Sequence, residues 1–234
     1  MSRRVNSYSR VEKRLIDRLV AHYAENQHLI GVMLDQLSKA ILGSPNLMAH
    51  VHSTKSRLKS PEHLRDKLYR KLHDAKAKGK KFNISEKNLF YRINDLAGFR
   101  ILHLHSQQFV AIDLELRSVF KEYRFPLFEL PKARTWDDEY REFFRSAGIR
   151  SIKSPKMYTS VHYVVQSNSE TKRTCEIQVR TLAEELWGEV DHTMNYPRES
   201  SIASCREQIK VLARVTSSCS RLVDSIFRSA ESES

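Results

Sequence analysis

Two runs rich in β-branched and aromatic residues flank a short polar turn in the second half of this chain. Ser160-Val161-His162-Tyr163-Val164-Val165 and Thr174-Cys175-Glu176-Ile177-Gln178-Val179 read as strands, and Ser167-Asn168-Ser169-Glu170 supplies turn chemistry between them, so the pattern predicts an antiparallel hairpin. Strand side chains alternate, which sends Cys175, Ile177 and Val179 to one face and Glu176, Gln178 and Arg180 to the other. A glutamate in mid-strand is costly unless it is paired or binds a metal. The hairpin therefore predicts a sheet, with Glu176 on its polar face either paired or bound to a metal.

Helical periodicity surrounds this hairpin. Val11, Leu15, Leu19, Tyr23, Ile30, Met33, Leu34, Leu37 and Ile41 predict a helix from about Arg10 to Ile41, ended by Gly43-Ser44-Pro45-Asn46. Pro61 suits a first turn, and a helix is expected from there to about Ala77. Phe99 to Leu104 reads as a strand, while Phe109 to Tyr123 and Trp136 to Ser146 read as helices. Leu182 to Asn195 is an amphipathic helix stopped by Pro197. A last helix, about Ser200 to Phe227, carries Ile209, Leu212, Val215, Leu222 and Ile226 before fraying into Ser-Glu repeats. The expected class is α+β: an N-terminal helical region over 1–45, a core over 46–198, and a C-terminal helix and tail over 199–234. The apolar faces of the terminal helices either cap the domain or form a homo-oligomer.

The chain's 234 residues suffice for a real core, and 40% apolar content excludes wholesale disorder. Met1 to Ser7 is basic with no apolar run behind it, and the stretch Leu29 to Leu34 is too short to span a bilayer. Three cysteines without metal-ligand spacing, Cys175, Cys205 and Cys219, read as reduced thiols, so a cytoplasmic protein with no membrane partner is expected. His103 with His105, and His50 with His52, lack a third ligand.

Charge is more telling. The net charge is +12, and Lys55 to Arg92 holds 13 Lys/Arg against four Asp/Glu, or +9 in that stretch alone. Such a patch attracts polyanions, whether nucleoside triphosphates or RNA. Only six glycines occur, and none forms a phosphate-cradling loop, so side-chain cations and a metal must neutralise any bound phosphate. Arg57, Lys59 and Lys67 are the candidate cations, with His63 and Arg70 on the helix face of Lys67. Asp95, just before a strand, and Glu176 are candidate carboxylates. They either converge on Mg²⁺ and a triphosphate or pair with Arg92, Arg100 or Arg180. Tyr158 at a strand entrance is either a platform for a base or a packing residue.

In their order along the chain these pieces resemble the synthetase domain of the RelA/SpoT family, the alarmone (p)ppGpp synthetases, from about Ser53 to Pro197. The matching segments are Ser56-Arg57-Leu58-Lys59-Ser60 with Lys67, Arg92-Ile93-Asn94-Asp95-Leu96-Ala97-Gly98-Phe99-Arg100, Tyr158-x-Ser160-x-His162, and Glu176-Ile177-Gln178-Val179-Arg180-Thr181 followed by Trp187 and His192. The resemblance implies a nucleotidyltransferase-like mixed sheet flanked by helices. It also implies transfer of the β,γ-pyrophosphate of ATP to the ribose 3′-hydroxyl of GTP or GDP with Mg²⁺. Carried over, Asp95 and Glu176 would hold the metal, with Glu176 helping to deprotonate the hydroxyl. Arg57 and Arg100 would sandwich adenine, Lys59 and Lys67 would steady the phosphates, and Tyr158 would stack on guanine. His162, Lys156 and Arg180 would complete the acceptor side. No His plus His-Asp pair of the family's hydrolase domain lies upstream, so the resemblance is to a synthetase-only chain.

The acceptor loop departs from the family's Lys-Pro-Asn-Gly before the tyrosine: here it is Ser154-Pro155-Lys156-Met157. His63 also stands where a serine is usual. A related branch of the family modifies the 3′ end of tRNA, which keeps tRNA as a second acceptor. A catalytically silent RNA-binding or regulatory module is the reading from another class.

Overall fold

The structure is a computed structural model that describes residues 8–195 and 199–232. Met1 to Ser7, read above for a leader, and Pro197, read as a helix stop, lie outside the described residues. The helices are α1 (Arg10–Leu42), α2 (Pro45–Met48), α3 (Pro61–Ala77), α4 (Leu89–Arg92), α5 (Gln108–Glu122), α6 (Asp138–Ser146), α7 (Leu182–Asn195) and α8 (Ala203–Ser232). The strands are β1 (Ser53–Leu58), β2 (Ala97–His103), β3 (Leu127–Thr135), β4 (Arg150–Lys153), β5 (Ser160–Gln166) and β6 (Thr174–Thr181). They form one six-stranded sheet in the order β1-β2-β6-β5-β3-β4. The β2–β6 and β3–β4 pairs are parallel and the other three antiparallel, so the sheet is mixed and the class α+β, as expected.

Local chemistry sets the helix starts. Ser9 caps α1 in a reciprocal box: Glu12 N donates to Ser9 Oγ at 3.2 Å, and Ser9 N donates to Glu12 Oε2 at 2.8 Å. Ser60 accepts from His63 N at 3.2 Å, ahead of Pro61 in the first turn of α3. Asp137 caps α6 by accepting from Glu139 N and Tyr140 N, which starts that helix two residues after Trp136.

The predicted hairpin pairs in register, with Val161 opposite Val179 and His162 opposite Gln178. Under one sheet face, Leu19, Tyr23 and Ile30 of α1, Leu64 and Leu68 of α3, and Phe109 and Ile112 of α5 join Phe99, Ile177, Val179 and Tyr163 in the main core. Trp187 of α7 makes a second cluster with Ile209 and Ala213 of α8. Among the described residues no helix is long and apolar enough to cross a membrane.

Three strands depart from the sequence reading. β1 is a polar edge strand, β3 contains Pro131 within register irregularities against β5, and β4 has four residues. The last helix does not fray after Phe227 but continues to Ser232. Nor is its apolar stripe wholly buried: α8 buries Ile209, Ala213, Thr216, Ser217 and Ser220, while Val215, Leu222 and Ile226 stay 57%, 64% and 59% exposed.

One buried group near this seam gives a stability prediction. Burial pushes the Glu184 carboxyl up from 4.5 to about 8, and its Oε1 has no hydrogen-bond partner. The unfolded chain releases this proton well before the folded one does, so stability falls as pH rises from about 4.5 to about 8. His103, which burial pushes down from 6.5 to about 4, acts in the opposite sense below 6.5. The clean window is therefore pH 6.5 to 8. Glu184→Gln should gain about 2 kcal/mol on the wild type across that window, read by thermal unfolding. A constant difference between the two proteins would show that Glu184 is not held neutral.

Candidate active site

Register places the candidate residues on the sheet face opposite the main core. Gly98 of β2 lies between Arg57 of β1 and Glu176 of β6, and Arg100 lies between Lys55 and Gln178. His162 of β5 follows Gln178 across the next pair. Lys55, Arg57, Gly98, Arg100, Glu176, Gln178 and His162 therefore share one face. Gly98 leaves open the space beside Arg57, whose Cγ lies 3.8 Å from where a Cβ would stand.

Asp95, three residues before Gly98, reaches the same small cavity as Arg57 and Glu176. Its partners are Lys59 Nζ at 3.1 Å and Lys67 Nζ at 2.6 Å. Burial opposes its charge, but Lys67 and Lys59 outweigh that and hold the carboxyl below its ordinary range. The Lys59 backbone is pinned from α1 and from the chain before β2: Tyr23 Oη donates to its carbonyl at 2.6 Å, and its N–H donates to Leu96 O at 2.9 Å.

Glu176 is also held ionised against burial, by His162 Nδ1 at 3.0 Å and by Gln178 Nε2, which donates at 2.8 Å. Tyr158 Oη lies 3.2 Å from His162 Nε2. With its proton on Nδ1, His162 donates to Glu176 and accepts from Tyr158, so one tautomer satisfies both contacts. Neither carboxylate pairs with Arg92, Arg100 or Arg180, the alternative left open by the sequence. Their partners are two lysines and a histidine brought in by folding.

The residues fit a hard divalent ion. Asp95 and Glu176 bring hard carboxylate oxygens to one cavity, and the buried Asp95 Oδ1 has the Lys67 ammonium at 2.6 Å as its ion-pair partner. Among the described residues no three His, Cys, Asp or Glu side chains cluster into a closed metal cage. Mg²⁺ suits such a set, since it takes one or two carboxylates and completes its shell with water and phosphate oxygens.

A larger cavity of about 410 Å³ adjoins the carboxylates, lined by Arg100, Tyr158, Gln178, Arg180, Trp187 and Asp191 among others. That volume is in the range of small-ligand sites. The Tyr158 ring sits 6.3 Å from Trp187, with the Arg180 guanidinium 5.7 Å from its centre. Lys156 is exposed at the rim, 3.9 Å from Asp191 Oδ2. Arg70 also lines this cavity, and His63 meets His192 edge-on at 6.4 Å. The two cavities share Arg100 and Gln178 as a common wall.

Sequence reasoning overlooked the carboxylates that organise this wall. Glu185 and Glu189 of α7 both pair with Arg100, and Lys55 joins them at 3.8 and 3.4 Å. Their i, i+4 spacing on an amphipathic helix was the available signal. Burial works against the charge of Glu189, yet Arg100 pulls that carboxyl down to about 2.

The family described as "Region found in RelA / SpoT proteins" matches residues 56–201, more than half of the chain. Among curated proteins, none matches the sequence. Solved structures share the fold, the following three among them. A GTP pyrophosphokinase family protein from Streptococcus pneumoniae superposes with a TM-score of 0.54 at 16% identity, covering 97% of each chain. The small alarmone synthetase 1 from Bacillus subtilis gives 0.53 at 18% identity, covering 93% of this chain and 98% of the other. Its complex with its product pppGpp gives 0.52 at 20%, covering 93% and 96%. With four ordered motifs on one sheet face and the family's region spanning residues 56–201, the chain belongs to the RelA/SpoT family.

Proposed function

We propose that this chain transfers the β,γ-pyrophosphate of ATP to the ribose 3′-hydroxyl of GDP or GTP, making (p)ppGpp. The observation that carries the reading is the pairing of Asp95, neutralised by Lys59 and Lys67, with Glu176 in one cavity beside Gly98. Family membership and the fold shared with small alarmone synthetases support it.

In this reading Arg57 and Arg100 hold adenine between flat guanidinium planes, and Lys59 and Lys67 hold the β and γ phosphates beside Asp95. Tyr158 carries the guanine in the larger cavity, with Arg180 and Lys156 near its phosphates. The 3′-oxygen attacks the β-phosphorus, the bond from that phosphorus to the α,β-bridging oxygen breaks, and AMP leaves. The hydroxyl proton passes to Glu176, beside which His162 lies 3.0 Å away. Bound Mg²⁺, held by Asp95 and Glu176, would supply charge stabilisation to the phosphates.

The second reading keeps the donor and changes the acceptor to the tRNA 3′ end. It is favoured by the exposed cations Lys78, Lys80 and Lys81 beyond α3 and by Lys156 at the cavity rim. Competition decides between them: label from γ-labelled ATP is offered GDP and tRNA together. Label on the guanosine nucleotide, unaffected by reversing Lys78, Lys80 and Lys81 to Glu, is expected. Label on tRNA, lost on charge reversal and falling steeply with salt, would select the second reading.

A further inference from the structure

Within the ion-pair network on α7, Glu185 joins two largely covered arginines that differ in the cavities they line. Arg100 Nη1 donates to Glu185 Oε1 at 2.8 Å, and the other oxygen of the same carboxylate pairs with Arg180 Nη2. Arg100 lines both cavities, whereas Arg180 lines only the larger of the two beside Tyr158. One carboxylate from a helix thus clamps a cation on β2 and a cation on β6. Glu189 shares Arg100 and Lys55 with Glu185 but does not pair with Arg180.

The clamp is built with little slack. The Arg180 side chain is 3% exposed and that of Glu185 11%, so neither can trade its partner for water cheaply. Gly188, one turn along α7 from Glu185, makes room for it. A Cβ at Gly188 would stand 2.5 Å from Arg180 Nη1. Any side chain there would displace the guanidinium from its seat.

We propose that Glu185 is a positioning residue that couples the two nucleotide pockets, so that ordering Arg100 around one nucleotide orders Arg180 for the other. This rests on the pyrophosphotransfer reading, in which Arg100 faces the donor and Arg180 the acceptor. A ligand that fixes the plane of Arg100 fixes one oxygen of Glu185. Through its ion pair the carboxylate then biases Arg180, which lies against the face of Tyr158. By thermodynamic linkage the coupling is reciprocal. Glu189 steadies Arg100 alone and belongs to the donor side.

Calorimetric titration of the whole chain with a non-hydrolysable ATP analogue and with GDP, each alone and in the presence of the other, tests this. In the wild type each ligand should tighten the other by roughly five- to tenfold. Glu185→Gln should weaken both ligands by about tenfold and shrink the mutual effect to less than about twofold. Glu189→Gln should weaken the analogue more than GDP and, with Glu185 in place, retain the mutual effect. Gly188→Ala, which moves a flexible side chain and not the backbone, should also abolish the mutual effect while leaving analogue affinity within about threefold. It serves if Glu185→Gln does not fold. Absence of mutual tightening in the wild type, or its persistence in Glu185→Gln or Gly188→Ala, would overturn the coupling role. A wild type that binds neither ligand would instead overturn the pyrophosphotransfer reading itself.

Discussion

Asp95→Asn and Glu176→Gln are each expected to lower turnover by about a thousandfold or more, equivalent to about 4 kcal/mol of lost transition-state stabilisation. Each change removes one negative charge from a cavity in which burial already works against charge. Neither changes side-chain volume much, so activity loss should come without collapse of the fold. Their side effects should differ. Asp95→Asn leaves Lys59, with a side chain only 9% exposed, facing Lys67 without the shared counter-charge. That variant should therefore also lose stability, whereas Glu176→Gln keeps an acceptor for His162 and can donate to Gln178 once that amide turns over. Single-turnover rates and thermal unfolding measure both effects. Near-normal rates in either folded variant would remove the carboxylates from the chemistry.

Tyr158→Ala is expected to weaken the acceptor by about 1–3 kcal/mol, or roughly one to two decades in its KM. Binding of an ATP analogue should change far less, because the donor's proposed cations are Arg57 and Arg100. Tyr158→Phe keeps the ring against Trp187 and Arg180 but removes the hydroxyl contact to His162. It should therefore leave acceptor KM nearly unchanged and lower kcat modestly, through looser placement of the imidazole beside Glu176. Equal loss of donor and acceptor affinity in Tyr158→Ala, with a lower melting temperature, would make Tyr158 a packing residue.

Much of this arrangement was readable from periodicity. The alternation in Thr174 to Val179 put Glu176 and Gln178 on one face, and that face carries the candidate site. The helix from Pro61 to Ala77 was readable from its proline and its apolar spacing. What escaped was set by distant partners. Ser53–Leu58 has no apolar alternation because it is an edge strand, held by its ladder to β2 and largely open to solvent. Leu127–Thr135 carries Pro131, which counts against a strand until the register irregularities beside it are seen. The buried face of α8 starts from Ile209 but continues through Ala213, Thr216, Ser217 and Ser220, so beyond Leu212 an apolar pattern points to the wrong side of the helix. The partners of Asp95 escaped for a related reason: its cations come from the end of β1 and from α3, at separations that no local rule covers.

The identity of the nucleotide product left by ATP tests the central claim most directly. Purified chain should be incubated with Mg²⁺, ATP and GDP, and the nucleotides resolved by chromatography and mass. Pyrophosphate transfer is expected to release AMP in equal amount to a guanosine nucleotide bearing two added phosphates at the 3′ position. Both products should vanish together in Glu176→Gln. Formation of ADP, or of inorganic phosphate without a modified acceptor, would contradict the account.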